Sequence, residues 1–211
     1  MRMRGVGPAA AALSLLAAAC SGGSKPHTAE RAARSPSTSA VAPSTAPPTA
    51  AGAPEVNPAG DIPDNQVFVV YAPPSGRFSV KVPEGWARVE NAGTVTFTDK
   101  LNSIRIEAVA AAEAPSVQSA EQRELPAVRA STRNFRAGKV STVTRKSGSA
   151  VLITYGADSE PDAVTGKVVR DAVERYEFWK AGTEVVLTLS APEGADNVDP
   201  WRIVTDSLTW T

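Results

Sequence analysis

Phe78, Val80 and Val82 alternate with Ser79 and Lys81, the period of a strand with one buried face. Pro83 ends that strand because it has no N–H to give to a ladder, and Glu84-Gly85 makes a turn. Trp86 then stands where a large ring closes one end of a core. The alternation recurs in Thr94–Thr98, through Val95 and Phe97, and in Ser103–Val109, through Ile104, Ile106 and Ala108. A hairpin-like link at 99–102 joins them, and Val67–Tyr71 predicts a short edge strand. Further on, Lys139–Arg145 and Ala150–Tyr155 flank a turn at Ser147-Gly148. Val168–Lys180 is a long strand with Ala172, Tyr176 and Phe178 on one face and Val169, Val173 and Trp179 on the other. Ala181-Gly182 turns the chain into Val185–Ser190, where Val185, Leu187 and Leu189 share a face.

Two stretches change period. Leu125, Val128, Thr132 and Phe135 recur at helical spacing after a capping box at Ser119–Gln122, which predicts one helix from about 119 to 136. Asp199-Pro200 predicts a helix start, with Val198, Trp201, Val204 and Leu208 as its apolar stripe. Strands, a helix, strands and a helix joined by short links make an α+β fold, a mainly antiparallel β-sheet with helices packed on it.

The first 65 residues lack this patterning. Arg2 and Arg4, an apolar run from Ala9 to Leu16, and Ala17-Ala18-Ala19 read as an export signal too short to span a bilayer. The small residues are followed at once by Cys20, an arrangement that resembles the lipobox of bacterial lipoproteins. The resemblance implies a diacylglyceryl thioether on Cys20, cleavage before it, and an extracytoplasmic protein anchored to the cell membrane. Residues 21–65 are rich in Ala, Pro, Ser and Thr without apolar periodicity, so ordering them has nothing to offset its entropy. The organisation expected is a lipoprotein signal peptide at 1–19, a disordered tether at 20–66 and one α+β domain at 67–211.

Composition narrows the chemistry. The chain has 211 residues, a formal net charge of zero, one Cys and one His. A neutral chain gives no reason to expect nucleic acid as a partner. One Cys rules out an internal disulfide and any multi-thiolate metal site. The lone His27 lies outside the patterned region, which excludes a histidine triad or a histidine-rich zinc site there. No cofactor is expected.

The pattern Phe78-x-Val80-x-Val82-Pro83-x-Gly85-Trp86, the helix, the long meander and the closing helix around Trp201–Leu208 resemble the PsbP/Mog1-like α/β sandwich. Within it, the chain is similar to actinobacterial lipoproteins of the LpqN/LpqT type. That implies a fold and a surface-lipoprotein setting. No functional residue carries over, because members of the family bind very different partners.

Four groups of residues are candidates for chemistry. Lys146-Ser147-Gly148 resembles the Lys-Thr-Gly element of penicillin-interacting enzymes, yet the chain has no Ser-x-x-Lys nucleophile, so a hairpin turn is expected. Asp158, Glu160 and Asp162 alternate as in a cation loop, without the Gly and Glu that a calcium loop needs. Arg129, Arg133 and Arg136 fall at helical spacing and form a candidate basic face. Trp86, Tyr155, Tyr176, Trp179 and Trp201, with Trp210 as a further aromatic, are candidate pocket residues.

The function expected is that of a non-catalytic, monomeric, lipid-anchored envelope protein. Its tethered domain binds a protein or a cell-wall component. The alternative is a carrier of a small apolar ligand or lipid in an aromatic-lined cleft.

Overall fold

The computed structural model describes residues 58–162 and 164–211. Among them, ten strands form two antiparallel sheets. The smaller has the order β1 (Phe68–Tyr71), β2 (Phe78–Pro83), β10 (Thr209–Trp210). The larger is β3 (Ala87–Asn91), β4 (Thr94–Asp99), β5 (Asn102–Ala110), β9 (Thr183–Pro192), β8 (Arg170–Lys180), β7 (Gly148–Asp158), β6 (Arg136–Arg145). Each link between sequential neighbours in the large sheet is a hairpin, except where the helical segment separates β5 from β6.

The period-two pattern explains the layering. Phe78, Val80 and Val82 of β2 turn one buried face toward Ile104 and Ile106 of β5, Tyr176 and Phe178 of β8, and Val185, Leu187 and Leu189 of β9. Trp201 and Val204 of α3 (Val198–Asp206) close the same core, and Trp86 packs half-buried against it as its position past the turn implied. The opposite face of the large sheet carries a second cluster, Ala120, Val151 and Ile153, under a helical segment. The fold is therefore α+β, with helices on an antiparallel sheet as the patterning implied.

That segment differs from the expected single helix. It runs from α1 (Val117–Ser119) through a π-helical turn (Ala120–Glu124) into α2 (Leu125–Ser131). Its N-cap is Ser116, not Ser119. The Ser116 hydroxyl accepts from the Ser119 N–H at 3.1 Å, and Ser119 Oγ accepts from the Ser116 N–H at 3.0 Å, so a Ser–Ser pair makes the capping box. It ends at Ser131 because Thr132 is extended and Asn134 takes a positive φ of 45°. Likewise α3 begins after Asn197 rather than at Asp199, and Pro200 sits within its first turn.

Residues 58–66, placed in the expected tether, lie against the fold. Ile62 is 5% exposed and joins the main core. Its N–H donates to Asn197 Oδ1 at 2.7 Å, and Asn197 Nδ2 donates to the Gly60 carbonyl at 2.8 Å. Gly60 adopts φ of 101°, and a Cβ there would stand 2.6 Å from Pro192 Cδ, so only glycine lets the chain pass so close. An apolar residue with a buried polar receiver outweighs the local bias of a Pro-rich stretch.

Candidate functional site

The aromatic candidates do not gather in one place. Tyr176 and Trp201 meet beside α3, in a cleft of ≈ 170 Å³ that Arg145, Glu174 and Asn197 also line. Tyr155 and Trp179 stand on the opposite face of the sheet, because odd and even positions of antiparallel partners point oppositely. Tyr155 packs on Phe135 with ring centroids 5.4 Å apart, and Trp179 donates its indole N–H to the Ala111 carbonyl at 2.9 Å. Trp86 is part of the main core's rim.

The Tyr176 cleft is built from internally satisfied groups. Arg145 Nη2 donates to the Tyr176 hydroxyl at 2.9 Å, and that hydroxyl donates to Glu174 Oε2 at 2.6 Å. Arg145 Nε donates to Thr205 Oγ1 at 2.9 Å, and its guanidinium stands 5.0 Å from the Tyr176 ring centroid. Burial first, and then the hydrogen bond to Glu174, push the Tyr176 hydroxyl well above the usual tyrosine range. It stays a neutral donor, suited to fixing β8 against α3 rather than to proton transfer.

The candidate basic face is dispersed by the early end of α2. Arg129 remains helical with its guanidinium 5.3 Å from the Phe135 ring centroid. Arg133 follows the helix and pairs with Glu160 at 3.2 Å, while Arg136 is on β6 and pairs with Glu193. The acidic loop is consumed locally in the same way. Asp158 takes Arg170 at 3.0 Å and Asn134, and Asp162 accepts from the N–H groups of Val164 and Thr165. Among the described residues no cluster of His, Cys, Asp or Glu suits a metal ion. Lys146 and Ser147 form the β6–β7 hairpin turn, as expected. Cys20 lies outside the described residues.

A larger concavity, not foreseen from the sequence, opens on the other side of α3. It offers ≈ 930 Å³, widely open to solvent, between α3, β10, the β6–β7 turn and the end of β8. Lys81 of β2, Lys146 of the turn, Lys180 of β8 and Arg202 of α3 supply its cations, and Ile203, Leu208 and Trp210 supply its apolar wall. Arg202 is held by Asp206, with Nε 3.4 Å from Oδ2. The three lysines are exposed and, among the described residues, none has a carboxylate partner. Asp199 is the other acid on the cleft. Each lysine comes from a different element, so no local spacing announces the site.

Under the π-helical turn lies a buried charged cluster. Arg175 Nε donates to Glu177 Oε1 at 3.1 Å, and Arg175 Nη1 is 3.6 Å from Glu107. Glu177 is fully enclosed, and its Oε2 has no hydrogen-bond partner among the described residues. Burial pushes its carboxyl up to about 7 against the opposing pull of Arg175.

No family model matches the chain, and no curated protein matches it. Solved structures do resemble the fold. A cyanobacterial PsbP from Synechocystis sp. PCC 6803 has a TM-score of 0.49 at 13% identity, over 72% of this chain and 98% of its own. LpqN of Mycobacterium tuberculosis, involved in cell envelope biogenesis, has a TM-score of 0.37 at 16% identity, over 70% of this chain and 86% of its own. The Ran-binding protein Mog1p of Saccharomyces cerevisiae has a TM-score of 0.41 at 12% identity, over 61% and 78%. This chain spans about half, 48%, of the length of another similar structure, from Bacteroides thetaiotaomicron VPI-5482. The PsbP, Mog1 and LpqN types that the sequence resembles are thus among the structures similar to it.

Proposed function

We propose that this is a non-catalytic, lipid-anchored envelope protein whose domain binds another envelope component in the cationic cleft beside α3. The observation that carries the reading is the convergence of Lys81, Lys146 and Lys180 on one concave surface, with no carboxylate partner among the described residues. Lysines that serve only solubility scatter over a surface, whereas four elements here direct cations at one volume. The basic start, apolar run and Cys20 at the N-terminus support an anchor that keeps the domain outside the cytoplasm. The carrier alternative finds less support. The cleft holding Tyr176 and Trp201, at ≈ 170 Å³, falls below the ~300–1,000 Å³ of most small-ligand sites. It also faces Arg145 and Glu174, which is poor company for an apolar guest.

The test is a photo-crosslinking amino acid at Ile203, 44% exposed on the cleft wall, in the full lipoprotein in intact cells. A discrete adduct is expected in the membrane fraction, and it disappears when Lys81, Lys146 and Lys180 are all changed to Gln. A probe at Val89 on β3, 62% exposed and away from the cleft, gives none. No adduct from Ile203, or equal adducts from both positions, overturns the reading.

A further inference from the structure

We infer that the group this cleft receives is a phosphoryl oxyanion, the phosphate of a mono- or diester; the inference rests on the binding reading above. Charge is the first argument. Arg202 and Asp206 neutralise each other, so the three lysines and Asp199 leave two positive charges uncompensated. A phosphomonoester carries about −1.5 to −2 near neutral pH, which matches that excess, and a diester, with about one negative charge, is also attracted by it.

Geometry is the second argument. A carboxylate is best met by a planar guanidinium fork, and the one guanidinium on the cleft is already turned to Asp206. What remains are ammonium groups, compact point charges that arrive from β2, the β6–β7 turn and β8. Such an arrangement suits an anion with oxygens on several sides. A further donor stands beside them, the half-buried Trp210 indole N–H, which makes no hydrogen bond among the described residues. Asp199 is the one unpaired acid on the lining, and it is outnumbered there by the three lysines.

The volume is the third. At ≈ 930 Å³ the cleft exceeds a bare phosphate several-fold, so the phosphoryl group is one end of a larger molecule that reaches Ile203, Leu208 and Trp210. Soluble phosphate esters and phospholipid headgroups share this chemistry.

The chain has four tryptophans, so ¹⁵N-tryptophan labelling of the full-length Cys20→Ser chain gives four indole signals, with Trp210 assigned by Trp210→Phe. The probes are inorganic phosphate, glycerol phosphate, and vesicles of phosphatidylglycerol or of phosphatidylcholine. Glycerol phosphate is expected to move the Trp210 signal saturably and leave Trp86 and Trp179 in place. The Lys81→Gln/Lys146→Gln/Lys180→Gln variant is expected to need at least tenfold more, its three other indole signals reporting an intact fold. A response to phosphatidylglycerol vesicles alone supports the same chemistry with a headgroup as its source. A Trp210 signal that no probe moves, or that moves equally in the triple variant, overturns the phosphoryl assignment. If the Ile203 cross-link persists in that case, the binding reading stands and only the ligand class falls.

Discussion

Glu177 shows how one residue reports the cost of its surroundings. It sits on β8 facing the helical side, with Arg175 on its own strand, Glu184 on β9 and Glu124 in the π-helical turn. Burial raises its carboxyl from 4.5 to about 7, and the two other acids add to the rise against Arg175. The folded state therefore holds a proton that the unfolded state releases. Stability from this group is complete below about pH 4.5, falls as pH rises through about 7, and is flat beyond. Asp171, raised to about 6 mainly by burial, adds a slope of the same sign. Asp158 and Asp162, lowered by their hydrogen bonds, act only in stronger acid. The urea midpoint is thus expected to be higher near pH 5.5 than near pH 7.5. Glu177→Gln shrinks that difference, while Arg175 keeps Glu107 as its partner. A variant with the parent's full pH slope would remove Glu177 as its source.

At the scale of elements, two hairpins share a turn with an uncommon residue, alanine, at its first position. The β3–β4 link is Ala92-Gly93 and the β8–β9 link is Ala181-Gly182. The alanines have φ of 48° and 47°, and the glycines 84° and 82°, the two-positive-φ geometry that suits the twist of a two-residue hairpin. Glycine accepts this conformation freely, but alanine is held in a region costing roughly 1–2 kcal/mol for an L-residue. Asn tolerates it, so Ala92→Asn and Ala181→Asn are each expected to stabilise the fold by about 0.5–1 kcal/mol, read from denaturation midpoints. Unchanged or lower midpoints for both would mean the strands, not the turns, decide these hairpins.

These elements also show what local pattern can and cannot reveal. Ala181-Gly182 was legible because strong alternating strands flank it. The β3 strand was not, since all of Ala87–Asn91 is exposed and edge pairing with β4 leaves no apolar period to read. The two residues of β10 are held by β2 rather than by any preference of their own. The N-caps shifted because several residues near each helix start can cap. The local exchange between Ser116 and Ser119 set the first cap, and tertiary contacts gave the Asn197 side chain to Ile62 and Gly60 instead of to its helix. Of the candidate site, the aromatic types were legible but their sides were not, and the lysine cleft needs four elements assembled before it exists.

For the whole molecule, the attachment of residues 58–66 to the rest of the fold follows from one buried side chain and its polar receiver. Asn197 is 2% exposed and gathers the Ile62 N–H, the Gly60 carbonyl and Asn102 Oδ1 into one knot that joins the N-terminal segment, β5 and α3. Asp61 adds a bond from the Asp196 N–H at 2.9 Å. Without residues 58–66, Ile62 leaves an apolar gap worth roughly 1.5–3 kcal/mol of burial. Asn197 would also lose two partners, and unmet buried polar groups cost about 1–3 kcal/mol each unless water enters. A chain starting at Pro58 is therefore expected to be more stable than one starting at Val67 by about 2–5 kcal/mol in urea unfolding. Asn197→Ala in the longer chain should recover a large part of that loss, because it breaks the same knot from the other side. Because Asn197 also starts α3, loosening the knot is expected to loosen Arg202 and Ile203 as well, coupling residues 58–66 to the cleft proposed to bind its partner. Equal midpoints for the two chain lengths would show that the N-terminal segment rests on the fold without holding it.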